Sequence, residues 1–278
     1  MPNDAQQLVC VPALEMAESP SSWLSKLTLR QGVELRQLLR YLELPLSGDL
    51  DLSFVRSDLR RIAGICGMPY RDFALIRKMY LGVSKLDRTG TKYLLSREGA
   101  PRYRFCGPCL HAQREKYFPL HWRFKAWRWC PEHMCMLDDV CPHCSAPVVL
   151  PANMLKGGPG KEGIWSLGLC LACAGKLFAG HESAKGTLNF YLLTPWERVV
   201  LENGRALLAA LYRQEVRIEP SPHAFPLGAV RRLEKRGLLP HNHFKLTSSE
   251  VIRRQRAFLQ REVPRGRETT NNCLDEIK

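Results

Sequence analysis

The sequence predicts a mainly α-helical protein with small zinc-ribbon modules: an N-terminal helix-turn-helix part, a central two-zinc region and a C-terminal helical region. Three observations predict it. Apolar residues recur at helical spacing through the first hundred residues, eight cysteines and histidines fall in close pairs between Cys106 and Cys173, and the end of the chain returns to a basic helical pattern. The expected divisions are residues 1–98, 99–180 and 181–278.

The first part is read from its caps and stripes. Glu18-Ser19-Pro20-Ser21-Ser22-Trp23-Leu24 offers serine caps and an early proline, with Trp23, Leu24 and Leu27 on one face, so a helix is expected from about 20 to 30. Leu35, Leu38, Leu39 and Leu42 form a second stripe that ends before Pro45, and residues 46–53, rich in Ser, Gly and Asp, read as a loop. Residues 59–80 read as a helix-turn-helix: Ala63 is small where two helices would cross, Gly67 falls at the turn, and Phe73 and Ile76 bury the second helix. That helix would present Arg71, Arg77 and Lys78 to phosphate or base edges. A helical hairpin that merely packs is the competing reading.

The central region carries the most specific pattern. Cys106 and Cys109 are followed, after twenty residues, by Cys130 and His133; Cys141 and Cys144 are followed, after twenty-five, by Cys170 and Cys173. A two-residue gap lets both members of a pair face one ion, and two pairs close a tetrahedron, so the expectation is two structural zinc ions per chain. Sequential pairing closes shorter loops than interleaved pairing and costs less chain entropy. A closed tetrahedron leaves no position for reactive water. Cys-Gly-Pro-Cys is also a redox motif, but such a site needs a buried strand before it and a long helix after it; here Arg102-Tyr103-Arg104 precedes and three more pairs follow. Cys10, Cys66, Cys135 and Cys273 are left over, with Cys66 read as a small buried hydrophobe.

Between the first two pairs, residues 117–129 interleave aromatic with basic side chains. They could stack on single-stranded nucleic acid, or pack around the metal; packing is preferred, and His121 is assigned to it. Lys156 to Lys161 is glycine-rich but lacks the spacing and the Ser or Thr of a phosphate loop, so it reads as a loop tip. In the last part, Leu227 to Arg236 reads as a short basic helix. Thr247 to Glu250 reads as a capping box for a helix over Val251 to Glu262 that carries Arg253 and Arg254, and the tail from Pro264 reads as mobile.

The chain has 278 residues with 41 Lys and Arg against 27 Asp and Glu, a net charge of +14. With 45% hydrophobic and 24% charged residues it can build a core, which argues against wholesale disorder. The excess is uneven: residues 71–130 hold 14 basic against 4 acidic side chains, while residues 1–70 hold 7 against 8. Nucleic acid is the partner that charge favours. No apolar run reaches the ~18 residues of a membrane helix, and the start lacks the order of a signal peptide, so a cytoplasmic protein without membrane contact is expected.

Glu18-Ser19 with Ser22-Trp23-Leu24, then RYRFCGPCL, YFPLHWRF and CPEHMCMLDDVCPHC, together resemble the TniQ family over roughly residues 10–175. The resemblance implies a non-catalytic target-selection subunit of a transposition machine, nucleoid-associated when active. It would join target DNA, or in CRISPR-associated transposons a guide-RNA effector complex, to an AAA+ ATPase regulator; a homodimer is compatible with it. The ATPase contact is assigned to the near-neutral helices around Trp23, Arg36 and Arg40. A zinc-containing helix-turn-helix transcription regulator is the alternative, and an enzyme such as a nuclease is the third and weakest.

Overall fold

The computed structural model describes residues 7–155, 165–178, 195–217 and 223–236. Helix α1, Pro20–Gln31, starts where the Ser19 hydroxyl accepts the Ser22 N–H, and it ends at Gly32, whose φ of 63° is left-handed. Helix α2, Leu35–Tyr41, opens on a capping box between Glu34 and Gln37. Both match the sequence reading.

The expected loop over residues 46–53 is shorter than read. Asp49 accepts the Leu52 N–H at 3.1 Å, and helix α3, Leu50–Arg56, begins there. The Ser-Gly-Asp composition that looked like a loop is a helix start, because a short acidic side chain satisfies the first free N–H groups. Asp58 caps α4, Leu59–Ile65, in the same way, accepting from the Arg60 and Arg61 N–H groups.

After α4 the chain turns at Gly67, φ 61°, runs through a 3₁₀ turn at Tyr70–Phe73 and enters α5, Ala74–Leu86. Two helices and a turn are present, but Arg71 lies on the 3₁₀ turn ahead of the second helix. Helix α5 takes α3 and two later helices as its main packing partners, α7 (Pro195–Arg213) and α8 (Leu227–Lys235). The sequence reading had placed α8 over nearly the same residues and had not singled out α7.

Short strands hold the central region. Strands β1, Ser96–Arg97, β2, Ala100–Tyr103, and β5, Val148–Val149, make an antiparallel sheet with β2 in the middle. Strands β3, Trp129–Cys130, and β4, Cys135–Met136, form a hairpin in which Cys130 faces Cys135 across the pairing. Strands β6, Glu215–Arg217, and β7, Ala224–Pro226, pair between α7 and α8.

One core of buried side chains runs through all three expected parts, from Trp23 and Phe54 through Tyr103 and Trp122 to Leu211 and Leu227. The expected division near residue 98 is bridged by direct bonds. Asp51, with no exposed surface, accepts hydrogen bonds from the Ser21 N–H, Tyr80, Tyr103 and Arg123. Glu18, equally buried, pairs with Lys26 at 2.8 Å and accepts from the Ser22 hydroxyl at 2.7 Å; that hydroxyl in turn accepts the Phe118 N–H at 2.9 Å. Among the described residues no helix is long and apolar enough to cross a membrane. The glycine-rich tract at 156–161, Arg253, Arg254, the helix expected around them and the tail from Pro264 lie outside the described residues.

Candidate metal centre

Each metal-type pair is built by its local backbone. Cys106 precedes the short helix α6, Gly107–Ala112, with Pro108 in its first turn, so one helical turn brings Cys109 back beside Cys106. The other three pairs lie in tight turns closed by a residue of left-handed backbone: Met134 after Cys130 and His133, Ser145 after Cys141 and Cys144, Ala174 after Cys170 and Cys173. The Ser145 N–H reaches the Cys141 carbonyl at 2.9 Å and the Ala174 N–H reaches the Cys170 carbonyl at 2.7 Å. None of the three is glycine, so the turns hold a backbone that side chains disfavour.

The turns meet as the sequential pairing requires. Cys106, Cys109, Cys130 and His133 form one group and Cys141, Cys144, Cys170 and Cys173 another, with one ligand atom of each residue within 4.8 Å of the others in its group. In the first, His133 Nδ1 lies 3.5 Å from Cys106 Sγ, 3.2 Å from Cys109 Sγ and 3.6 Å from Cys130 Sγ. Cys109 and Cys130 are 3.5 Å apart. In the second, Cys141–Cys173 and Cys144–Cys170 are 3.7 and 3.6 Å apart. A tetrahedral zinc ion with Zn–S bonds near 2.3 Å sets its sulfurs about 3.7 Å apart, so both donor sets fit a four-coordinate ion. All ten cysteines among the described residues are free thiols.

Backbone amides support the sulfurs. The His143 N–H donates to Cys141 Sγ and the Gly175 N–H to Cys173 Sγ, both at 3.4 Å, and the Gly175 contact holds the Cys173 thiol below its ordinary range. Hydrogen bonds from Cys106 and Cys109 pull the Cys130 thiol down, while the same network, with burial added, pushes Cys106 up.

The pair spacing does not assign Cys135. Its Sγ lies 3.9 Å from Cys106 Sγ, because the β3–β4 hairpin folds it back opposite Cys130. The odd gap from Cys130 hides this; only a hairpin at residues 130–135 would have revealed it.

The aromatic segment packs. Phe118, Trp122, Phe124, Trp127 and Trp129 are buried, Phe118 and Trp122 meet edge to face at 5.5 Å, and His121 meets the Trp127 ring at 5.0 Å. Burial there pushes the His121 imidazole down to about 4. Arg123, basic in sequence, has no exposed surface and is not a surface cation.

Trp23 requires a correction as a partner-contact residue. It has no exposed surface: its ring packs edge-on against Phe54 and Phe73, and its indole N–H donates to the Pro12 carbonyl at 3.0 Å. Periodicity gave it a helical face without saying that the face is inward. Arg36 and Arg40 are exposed on α2, and Arg71, Arg77 and Lys78 are exposed as well.

Residues 9–137 match the family model TniQ. The matched span takes in α1 to α6, the β3–β4 hairpin and the first donor set; the second donor set, α7 and α8 lie beyond it. No curated protein matches the chain significantly.

Proposed function

From the TniQ match over residues 9–137, we propose that this chain is a non-catalytic target-selection adaptor of a transposon, joining target DNA or an RNA-guided complex to an AAA+ regulator. The observation that carries the reading is how the matched blocks are used. The Glu18-to-Leu24 block and the Tyr117-to-Phe124 block are bonded to each other through Ser22 and Phe118, and the second runs into the first donor set. The residues of the resemblance are therefore spent on holding a frame, with four-donor sets that leave no room for substrate.

A frame of this kind contributes binding free energy alone. It acts by bringing two partners to high effective concentration: one surface meets the target and another holds the ATPase. Zinc is the ion we assign to both sets. The ATPase contact is assigned to the exposed guanidinium groups of Arg36 and Arg40 on α2.

The test is co-purification of the metal-loaded chain with an AAA+ transposition regulator, in each nucleotide state. Capture of the ATPase in at least one state is expected. No capture in any state, with duplex DNA bound, would favour a transcription regulator instead, and DNA cleavage or joining by the isolated chain would overturn the adaptor reading.

A further inference from the structure

The solvent side of α5 is a basic ridge whose last pieces come from far along the chain. The thirteen residues of α5 include no acidic side chain; Ile76, Met79, Tyr80, Val83 and Leu86 are buried, while Arg77, Lys78 and Lys85 are exposed. On one flank the Arg56 guanidinium donates to the Ser84 hydroxyl at 3.0 Å and to the Arg88 carbonyl at 2.9 Å. On the other lies the end of α7. The Lys78 ammonium stands 4.6 Å from the ring centre of Tyr212, which is 59% exposed. Gln214 locks this seam, its Nε2 donating to the Lys78 carbonyl at 2.9 Å and its Oε1 accepting from Lys85 at 2.8 Å. The nearby Asp87 carboxylate is already engaged by the Thr89 hydroxyl and the Lys92 N–H.

Two close approaches fix α7 in this place. At Gly82 of α5 a Cβ would meet Leu211 at 3.0 Å and Gln214 at 2.7 Å, so the helices touch where a side chain is missing. At Gly204 of α7 a Cβ would meet the Trp127 ring at 2.8 Å, and Val200 and Leu201 pack with Trp129 of β3. Helix α7 thus reaches from the hairpin of the first donor set, at Val200 and Leu201, to the α5 ridge, at Leu211 and Tyr212, about 17 Å at the usual helical rise.

We propose that Arg77, Lys78 and Lys85 of α5, with Tyr212 and Arg213 at the end of α7, form one docking face for the phosphate backbone of duplex DNA. The proposal names the target-facing surface of the adaptor described above and takes its partner from that reading. Ammonium, guanidinium and phenol groups beside a helix that carries no carboxylate of its own match a row of phosphates. The face lacks what a protein interface uses: Tyr212 is its one large exposed aromatic, and Leu81 is half-buried, so there is no apolar cluster to anchor a partner.

The test is anisotropy of a fluorescein-labelled duplex of about 30 base pairs, arbitrary in sequence, titrated with the metal-loaded full chain across a series of KCl concentrations. Arg77→Ala with Lys85→Ala should weaken binding at least ~10-fold near 0.1 M salt and lower the slope of log affinity against log salt by about two. Tyr212→Ala, which leaves every α5 cation in place, should weaken binding about threefold or more. Arg36→Ala with Arg40→Ala on α2 should leave the slope unchanged. Duplex binding that is undetectable at low salt, or that falls equally in the α2 and α5 variants, overturns the proposal. If the α5 variants keep the wild-type slope while the ATPase is still captured, this face is wrong and the adaptor reading survives. The expected slopes without ATPase capture would keep the face and remove the adaptor.

Discussion

The guanidinium of Arg123 lies 2.8 Å from the Asp51 carboxylate, and neither side chain has any exposed surface. The pair joins the aromatic segment between the two halves of the first donor set to helix α3, 72 residues earlier in the chain. Asp49 takes the other side of the guanidinium while still capping α3, the Leu95 carbonyl accepts from Nε at 3.2 Å, and Tyr80 and Tyr103 donate to Asp51. Every polar atom of this cluster is therefore occupied across four segments. Removing Arg123 would leave the Asp51 carboxylate buried without a cation, whereas removing Asp51 would leave the guanidinium on Asp49.

Arg123→Met should accordingly destabilise the fold by about 3–5 kcal/mol, because Asp51 is then buried without a cation, and Asp51→Asn by less, because Asp49 still pairs with the guanidinium. The double variant should cost much less than the sum. Urea unfolding of the metal-loaded protein measures this, and additive single effects would show that the two side chains do not act as a pair.

Metal should behave as two separable ions. Metal analysis of the folded chain should give two per molecule, and Cys144→Ser should leave one with most of the helical signal retained, because Cys144 is exposed at the edge of the second donor set. Cys106→Ser should remove soluble protein altogether, since Cys106 is fully buried in the main core. One ion in folded wild-type protein would overturn one of the two assignments, and none would overturn both.

What the sequence made legible was local. Ligand pairs two residues apart, the serine cap of α1 and leucines at helical spacing each depend on neighbours within one turn, and these elements stand in the structure close to where the spacing puts them, whereas the aspartate caps of α3 and α4 do not show in the sequence pattern. The contacts that were not legible join distant segments: Arg123 to Asp51, Phe118 to Ser22, Tyr212 to Lys78. Periodicity shows that a residue shares a face with others but not which way the face turns, and near-neutral charge puts a contact around Trp23 without showing that its side chain is inward. Charge patterning has the same blindness, and Arg123 sits inside a stretch that composition alone would put on a basic surface.

Asp138 gives a pH-dependent prediction. Burial, with the negative charge of Asp139 beside it, raises its carboxyl from 3.8 to about 6. Between those values the folded protein takes up a proton that the unfolded chain does not, so ionised Asp138 is a cost at neutral pH that fades as pH falls. Asp138→Asn should stabilise the protein at pH 7.5, by up to about 3 kcal/mol from a shift of this size, and by about half as much at pH 5. Urea midpoints of both proteins at the two pH values decide it. A gain that is equal at both, or greater at pH 5, would contradict the assignment.

The last prediction separates frame from contact within the N-terminal helices, where the sequence grouped Trp23 with Arg36 and Arg40. Trp23 has its ring between Phe54 and Phe73 and its N–H on Pro12, so Trp23→Ala should cost about 3–5 kcal/mol and lower soluble yield, whatever partner is present. Arg36 and Arg40 stand one helical turn apart on the open side of α2, so Arg36→Glu with Arg40→Glu should leave the unfolding midpoint and metal content near wild type. If α2 holds the ATPase, that same variant should lose capture at least ~10-fold, because reversing two charges turns attraction into repulsion at an interface rim. Full capture by a folded α2 variant would remove this helix from the contact, and a folded, stable Trp23→Ala that alone lost capture would return the indole to it.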